Sequence, residues 1–426
     1  MVRQDARSKR QDAGRKTQDA RQARRSKGAR RKSHAKRASR AAQGIRQNTK
    51  YATRKVRVGV IFGGKSGEHE ISLLSAQSVM RAMNKDKYEI VPIGITSEGR
   101  WLLGGDPLKA LTGGQATMPQ LLQAPLPRRT SAEVSRALML DTRPTGEPPV
   151  DVMFPVLHGP LGEDGTVQGL LELADVPYVG AGVMSSAVGM DKAAMKDIFR
   201  SHGLPVVPYR VFLRRQWERE PLAVMAQIEN ELGFPCFVKP ANLGSSVGIT
   251  KVHSLVELDA ALVEAAVYDR KIIVEAAVPQ AREIECSVLG NDEPIASVPG
   301  EIVPKREFYD YEAKYFDERT QLTVPAPLSD EMTAHVRKLA IGAFKALDCA
   351  GMARVDFLLA GETNELYVSE INTIPGFTAV SMYPRMWEAS GLPYSELIDR
   401  LIELALERHA DKKRSRTSRE SGPGEA

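Results

Sequence analysis

Two triplets in the C-terminal third, Arg354-Val355-Asp356 and Glu370-Ile371-Asn372, put polar residues two apart inside apolar runs. Alternate side chains of a strand share a face, so the outer members of each triplet point the same way. Adjacent strands of this kind present Arg354, Asp356, Glu370 and Asn372 to one pocket. Two carboxylates and an amide are oxygen ligands that suit magnesium held against phosphates. The competing reading is a salt-bridged pair of strands. A second cluster is FVKPANLGSSVGI at 237–249. Lys239 ends a strand there, and Gly244, Ser245 and Ser246 supply bare backbone and two hydroxyls. Such a turn can close N–H groups over an anion, unless it is only a hairpin with a solvated lysine.

Two further loops are acidic and glycine-bearing. GKSGEHEIS at 64–72 follows the first apolar run, where ligands of open parallel sheets bind. Its Glu68 suits an ammonium group, with helix capping as the rival role. HGPLGEDG at 158–165 brings His158 and Glu163 to the end of another strand. The stretch GVIFGGKS at 59–66 also spells a P-loop, G-x-x-x-x-G-K-S. A P-loop needs a strand before it and a wrapped backbone within it. Here Val60, Ile61 and Phe62 form the strand inside the motif, so Lys65 is expected to bind no nucleotide.

These loops need elements to hold them. Apolar runs alternate with helical periods from residue 56 onward. Strands are expected at 58–62, 89–96, 152–157 and 178–179, with helices starting near Ile71 and at 166–174. Ile71, Leu74, Val79 and Met83 mark the core face of the first helix. This strand–helix alternation implies a parallel sheet with crossovers. Residues 104–149, rich in Gly and Pro, read as an irregular insertion. A helix at 185–202 follows, then strands at 236–239, 247–252 and 271–276 around a helix at 255–267. Further strands are expected at 283–289, 295–299, 353–359 and 366–370, with helices at 331–347 and 394–408. The fold class is α/β, with a body of three domains cut near residues 181 and 279. These are an N-terminal parallel-sheet domain (56–181), a small central α+β domain (182–279) and a larger C-terminal α+β domain (280–410).

Of the 426 residues, 42% are hydrophobic and 26% charged, which is ordinary for a globular protein. The net charge of +6 conceals a division. Residues 1–55 carry 20 Lys/Arg against 3 Asp, leaving an acidic body with 39 basic and 50 acidic residues. The basic segment repeats QDA at positions 4, 11 and 18, but alanine alone is too small a seam for a coiled coil. Its composition predicts a disordered tail, as does that of 411–426. Nucleic acid or an anionic membrane surface is the functional reading of the basic tail, and a dispensable extension the plainer one. No stretch is apolar enough to predict membrane insertion. Cys236, Cys286 and Cys349 have no metal-binding spacing and read as buried free thiols of a cytoplasmic protein.

Together GGKSGEHEIS, HGPLGEDGTVQGLLEL, GMDK, FVKPANLGSSVG, FYDYEAKY, ARVDF and SEINTIPGFT resemble, in order, the D-alanine–D-alanine ligases of the ATP-grasp superfamily. The resemblance spans residues 58–408 and is weak in 1–55 and in the insertion. It implies an ATP-grasp fold whose nucleotide lies between the central and C-terminal domains, with no Walker motif. Lys192 and Lys239 match phosphate-contacting lysines, Glu275 and Glu285 match adenine and ribose contacts, and Ser246 and Lys314 complete the nucleotide set. Asp356, Glu370 and Asn372 match the residues that hold two magnesium ions, with manganese as a substitute. Glu68, Ser245 and Tyr315 match a hydrogen-bonded triad over the site, in which Glu68 also takes the first D-alanine's ammonium. His158 matches a substrate contact. Arg354 and the N–H of Gly376 match the stabilisers of the oxyanion, and Ser381 matches the contact to the second carboxylate.

The implied activity is ATP-dependent joining of two D-alanines through a D-alanyl phosphate, for peptidoglycan precursors. The intact FYDYEAKY favours this dipeptide over D-alanyl-D-lactate. Another ATP-grasp product is the alternative, and a nucleic-acid-binding protein driven by the tail a more distant one. The resemblance also implies a homodimer through the N-terminal domain.

Overall fold

The computed structural model describes residues 54–103, 105–112, 150–244, 246–303, 321–378 and 380–416. The expectations for residues 1–53, for 113–149 and for the last ten residues lie outside that range, while the tail expected to be disordered from residue 411 is ordered at its start, where the last helix runs on to Lys412. Val56 onward forms one compact unit.

The first sheet runs in the order β3-β2-β1-β4. Its strands are β1 (Val56–Gly63), β2 (Tyr88–Ile95), β3 (Trp101–Leu103) and β4 (Val152–Val156). β1 is parallel to both its neighbours, whereas β3 lies antiparallel at the edge, so the sheet is mixed rather than wholly parallel. Val58, Val60, Ile61 and Phe62 are fully buried, as expected of a central strand covered on both faces. Within the P-loop letters, Gly59 to Phe62 pair residue by residue with Val91 to Gly94. An extended ladder cannot wrap a phosphate, and Lys65 is exposed.

Gly63, at φ +88°, makes the turn out of β1; a Cβ there would lie 2.1 Å from Ile95 O. The chain then enters α1 (His69–Ala82). Ser72 Oγ accepts from Gly63 N at 2.8 Å, and His69 Nδ1 donates to Gly64 O at 2.8 Å, which fixes the turn to the helix. Ile71, Val79 and Met83 face the core as expected, but Leu74 is 54% exposed. The expected strand at 178–179 is only a bridge between Tyr178 and Met153. Part of the expected irregular insertion is helical at Pro107–Leu111, capped by Asp106, which accepts from Lys109 N.

The helix expected at 185–202 is two helices, Val183–Met190 and α2 (Lys192–Ser201). Asp191 leaves helical geometry between them, and its carboxylate accepts from Ala193 N and Ala194 N at 3.1 Å. An Asp that can cap a new helix competes with continuing the old one. The second sheet is antiparallel in the order β5-β8-β6-β7. It comprises β5 (Tyr209–Leu213), absent from the sequence reading, β6 (Cys236–Pro240), β7 (Thr250–Val252) and β8 (Lys271–Ala276). β7 starts three residues later than expected because Ser246 and Gly248 take positive φ in the turn.

The third sheet runs β12-β11-β9-β13-β14, with β10 on β9. Its strands are β9 (Arg282–Gly290), β10 (Ile295–Ala296), β11 (Gly300–Val303), β12 (Gln321–Thr323), β13 (Gly351–Leu359) and β14 (Leu366–Asn372). The strand expected at 295–299 is only Ile295–Ala296, and β11, not expected, begins just after it at Gly300. α3 (Asp330–Ala346) covers one face, burying Val336, Ala340, Ala343 and Phe344 against Ile284, Val288, Val355 and Phe357. All three cysteines are free and buried; burial pushes Cys286 and Cys349 up to about 12, so they stay thiols.

Two last helices, α4 (Met382–Ala389) and α5 (Tyr394–Lys412), join the first and third sheets through one shared core. Phe377 is fully buried and stands edge-on to Phe154 of β4 at 5.9 Å. Each large side chain so buried contributes roughly 1.5–3 kcal/mol, which anchors the 373–378 loop against the end of β4. Among the described residues no helix is long and apolar enough to cross a membrane.

Candidate active site

The register of the third sheet aligns the two polar triplets. Arg354 pairs with Asn372 and Asp356 with Glu370 across β13 and β14, while Asp356 faces Glu285 across β9. Arg354 donates to both Asp356 oxygens at 2.7 Å and lies 3.2 Å from Glu285 Oε1. Burial opposes its charge, but Asp356 and Glu285 outweigh that and hold it firmly protonated. Glu370 keeps 40% of its side chain open, and Asn372 Oδ1 accepts from Ile374 N at 3.1 Å. Among the described residues no three His, Cys, Asp or Glu side chains form a metal cluster. The fit to magnesium therefore rests on the pair Asp356 and Glu370 with the Asn372 amide. That all-oxygen set is chemically suitable.

Opposite this acidic face stands a group of lysines. Lys192, the first residue of α2, donates to Leu243 O at 2.9 Å and lies 3.2 Å from Glu370 Oε2. Lys239, at the end of β6, donates to Glu275 Oε2 at 2.7 Å. Lys196, one turn beyond Lys192, lies 3.1 Å from Glu275 Oε1. Burial would raise the Glu275 carboxyl, yet the two lysines hold it down at about 2. Lys239 is correspondingly raised, with Glu275 overcoming the effect of burial. Glu275, expected on adenine or ribose, is 2% exposed and engaged with both lysines. Glu285, expected beside it, is 5% exposed and pairs with Arg354. Glu283 lies on the same face of β9, is less buried, and acts electrostatically on Lys239.

Three loops meet at Glu68. Its Oε2 lies 3.1 Å from where a Cβ of Gly159 would stand and 3.4 Å from that of Gly244. The ends of β1, β4 and β6 thus converge on one buried carboxylate. Beside it, His158 contacts Ile374 O at 3.1 Å through Nδ1 and Ser75 Oγ at 3.4 Å through Nε2. Glu163 accepts from Gly159 N at 2.8 Å and lies 3.8 Å from His158 Nδ1. Burial pushes the Glu163 carboxyl above its ordinary value and Glu68 adds to this, while His158 pulls it back. Ser75 Oγ also accepts from Phe377 N at 3.3 Å, joining α1 to the 373–378 loop.

At the far end of that loop, a Cβ on Gly376 would lie 3.0 Å from Ser381 Oγ, so that loop and the start of α4 touch. Ser381 Oγ accepts from Thr378 N at 3.0 Å. Ser246 lies in the turn after β6 at φ +59°. Ser245, Lys314 and Tyr315 lie outside the described residues. A separate cavity of about 550 Å³, lined by residues such as Tyr178, Met184, Asn291 and Arg408, shares none of the expected site residues. Sequence reasoning missed Lys196. The available signal was its place four residues after Lys192 on one helix face.

The family models for the D-ala D-ala ligase N-terminus and C-terminus match residues 57–181 and 198–403. The chain belongs to the D-alanine–D-alanine ligase family. A D-alanine–D-alanine ligase of Heliobacterium modesticaldum is 51% identical over 365 residues, covering 86% of this chain and 98% of its own. One from Thermoanaerobacter sp. is 55% identical over 362 residues, covering 84% and 98%. Among solved structures, the D-alanine–D-alanine ligase of Coxiella burnetii superposes with a TM-score of 0.69 at 38% identity, covering 84% of this chain and 96% of that one. The VanG D-Ala:D-Ser ligase of Enterococcus faecalis gives 0.70 at 37%, covering 83% and 100%. The expected ATP-grasp ligase architecture is therefore found, and the lysine-rich and acidic faces belong to a ligase of this family.

Proposed function

We propose that the chain joins two D-alanines at the expense of ATP, through a D-alanyl phosphate, and releases D-alanyl-D-alanine, ADP and phosphate for peptidoglycan precursors. The observation that carries this reading is the opposition of Lys192 and Lys239 to Asp356 and Glu370 across one cleft. A carboxylate is a poor electrophile, so it must first accept a phosphoryl group, and that transfer between anions needs fixed cations. Lys192 and Lys239 supply them, with Ser246 and Lys314 at the same phosphates. Magnesium, as two ions replaceable by manganese, neutralises charge on the phosphates when bound, and Asp356, Glu370 and Asn372 are the residues that would hold it.

Glu68 receives the ammonium of the first D-alanine, with His158 beside it. Ser381 holds the second carboxylate, so that its amine, once deprotonated, faces the acyl carbon. Arg354 and Gly376 N–H stabilise the oxyanion formed there. Ser245 and Tyr315 join Glu68 to close the loops, which keeps water from the acyl phosphate. Glu275 and Glu285 stand as the nucleotide contacts that the resemblance implies. The body divides near residues 181 and 279, works in the cytoplasm, and pairs as a homodimer through its first domain.

Phosphate release with ATP, magnesium and a panel of D-alanine, D-serine and D-lactate tests the reading. The D-serine arm answers the likeness to a D-Ala:D-Ser ligase. D-alanine alone should give phosphate and dipeptide in equal amounts, detected by mass spectrometry. Release only when D-serine or D-lactate is added would reassign the product. Removal of residues 1–55 should leave ligation intact; loss of it would tie the basic segment to catalysis.

A further inference from the structure

The proposed chemistry leaves Lys196 without a task, although its position is a costly one. Its side chain is 1% exposed on the inner face of α2. Burying an ammonium is expensive unless it is paired and hydrogen-bonded. Lys196 meets both conditions, lying 3.1 Å from Glu275 Oε1 and donating to Ser369 O at 3.0 Å. Each contact serves a different part of the site.

Glu275 also accepts from Lys239 at 2.7 Å, so one carboxylate sits between two ammonium groups. Burial lowers the pKa of the Lys196 ammonium, Glu275 works to keep it charged and Lys239 opposes that; with Lys196 protonated, the three side chains carry a net charge of +1. With Lys239 and Glu275 alone the net would be zero, and the potential reaching an anion beyond Lys239 would be largely cancelled. Ser369 marks the irregularity in β14. Asp356 pairs with Glu370, but Phe357 pairs with Val368, so Ser369 is the extra residue of a bulge. Lys196 takes the carbonyl of that extra residue, next to the carboxylate that the bulge aims at Asp356.

We propose that Lys196 is a positioning residue: it offsets the charge of Glu275 so that Lys239 keeps its attraction for the nucleotide's phosphates, and it pins the Ser369 bulge that sets Glu370 beside Asp356. This rests on the ATP-dependent reading given above.

The test compares Lys196→Met, Lys196→Gln and Lys196→Arg, with ATP affinity measured calorimetrically without D-alanine and turnover measured separately. Lys196→Met and Lys196→Gln should each weaken ATP binding by about tenfold or more, equivalent to about 1.4 kcal/mol. Lys196→Arg should keep most of that affinity, because it restores the positive charge beside Glu275. It should recover kcat less fully, since a guanidinium does not reproduce the ammonium's bond to the Ser369 carbonyl. A purely structural lysine predicts no such dependence on charge, with the Gln variant binding ATP as well as the Arg variant. That result overturns the inference. If Lys196→Met does not fold by circular dichroism, the Arg and Gln variants decide. Tighter binding by Arg than by Gln supports the inference, and equal or weaker binding overturns it. Wild-type protein that binds no ATP overturns the underlying reading as well, which separates the two failures.

Discussion

Two neighbouring parts of the cleft solve the burial of charge in opposite ways. Around Glu275, two cations share one anion. Around Arg354, two anions, Asp356 and Glu285, share one cation. The first arrangement leaves positive charge over and the second negative charge over, within one continuous site. A triphosphate and a divalent cation need those two surpluses side by side, and neither surplus requires an unpaired buried charge. The comparison also shows why individual residues in such sites mislead. Glu275 and Arg354 are each the minority charge of their group and therefore the best satisfied.

The largest effect should come from the anionic side. Glu370→Gln should lower kcat by about a hundredfold or more while the circular dichroism spectrum stays that of wild type. Wild-type turnover in that variant would refute the role given to the acidic face. Next, a minority partner can be set against a majority one by denaturant unfolding. Arg354→Leu removes the cation that two carboxylates share and should cost about 3–5 kcal/mol. Lys239→Met leaves Glu275 still paired with Lys196 and should cost about 1–2 kcal/mol. Equal losses would dissolve the contrast between the two groups.

Acid should act on the cationic group in particular. Glu275 is held down at about 2 from an ordinary 4.5. Its contribution is therefore present above about pH 4.5 and is lost as the pH falls toward 2. Glu275→Gln should flatten the fall in melting temperature across that window, and an unchanged slope would count against the pairing. Glu163 has the opposite sign, since its carboxyl is raised. Its ionisation on going to neutral pH costs stability, so Glu163→Gln should match or exceed the wild-type melting temperature by a few degrees at pH 7. The smallest effect belongs to Lys65→Ala, which should leave ATP affinity within about twofold of wild type because that lysine is exposed beyond a paired strand.

Much of this was legible in the sequence because strand periodicity is strict. A period of two was enough to put Arg354, Asp356, Glu370 and Asn372 on one face, and the observed register agrees. The same logic dismissed the P-loop letters, since an apolar run that pairs along its whole length has no slack to wrap an anion. What the periodicity could not show was who neutralises whom. Lys196 looks like any helical lysine until β8 and β14 are brought against it. The break at Asp191 was hidden for a related reason: apolar spacing continues through it, and only the local capping geometry separates the two helices. β5 was missed because Tyr209–Leu213 contains Arg210, runs straight into Arg214-Arg215 and is only partly buried. Ser245, Lys314 and Tyr315 stay as the family resemblance left them.

The helix α2 carries one mechanical consequence. Lys192 and Lys196 grip β14 at Glu370 and Ser369, and on the other side they hold Leu243 in the turn after β6 and Glu275 of β8. Four residues of helix separate these anchors by about 6 Å. Two fastenings along one rod resist sliding of the sheets past each other but permit swivelling about the line that joins them. An opening of the cleft that kept both fastenings would be a rotation on that axle, with Leu243 and Glu275 staying against α2 and the part of the second sheet farthest from it moving most.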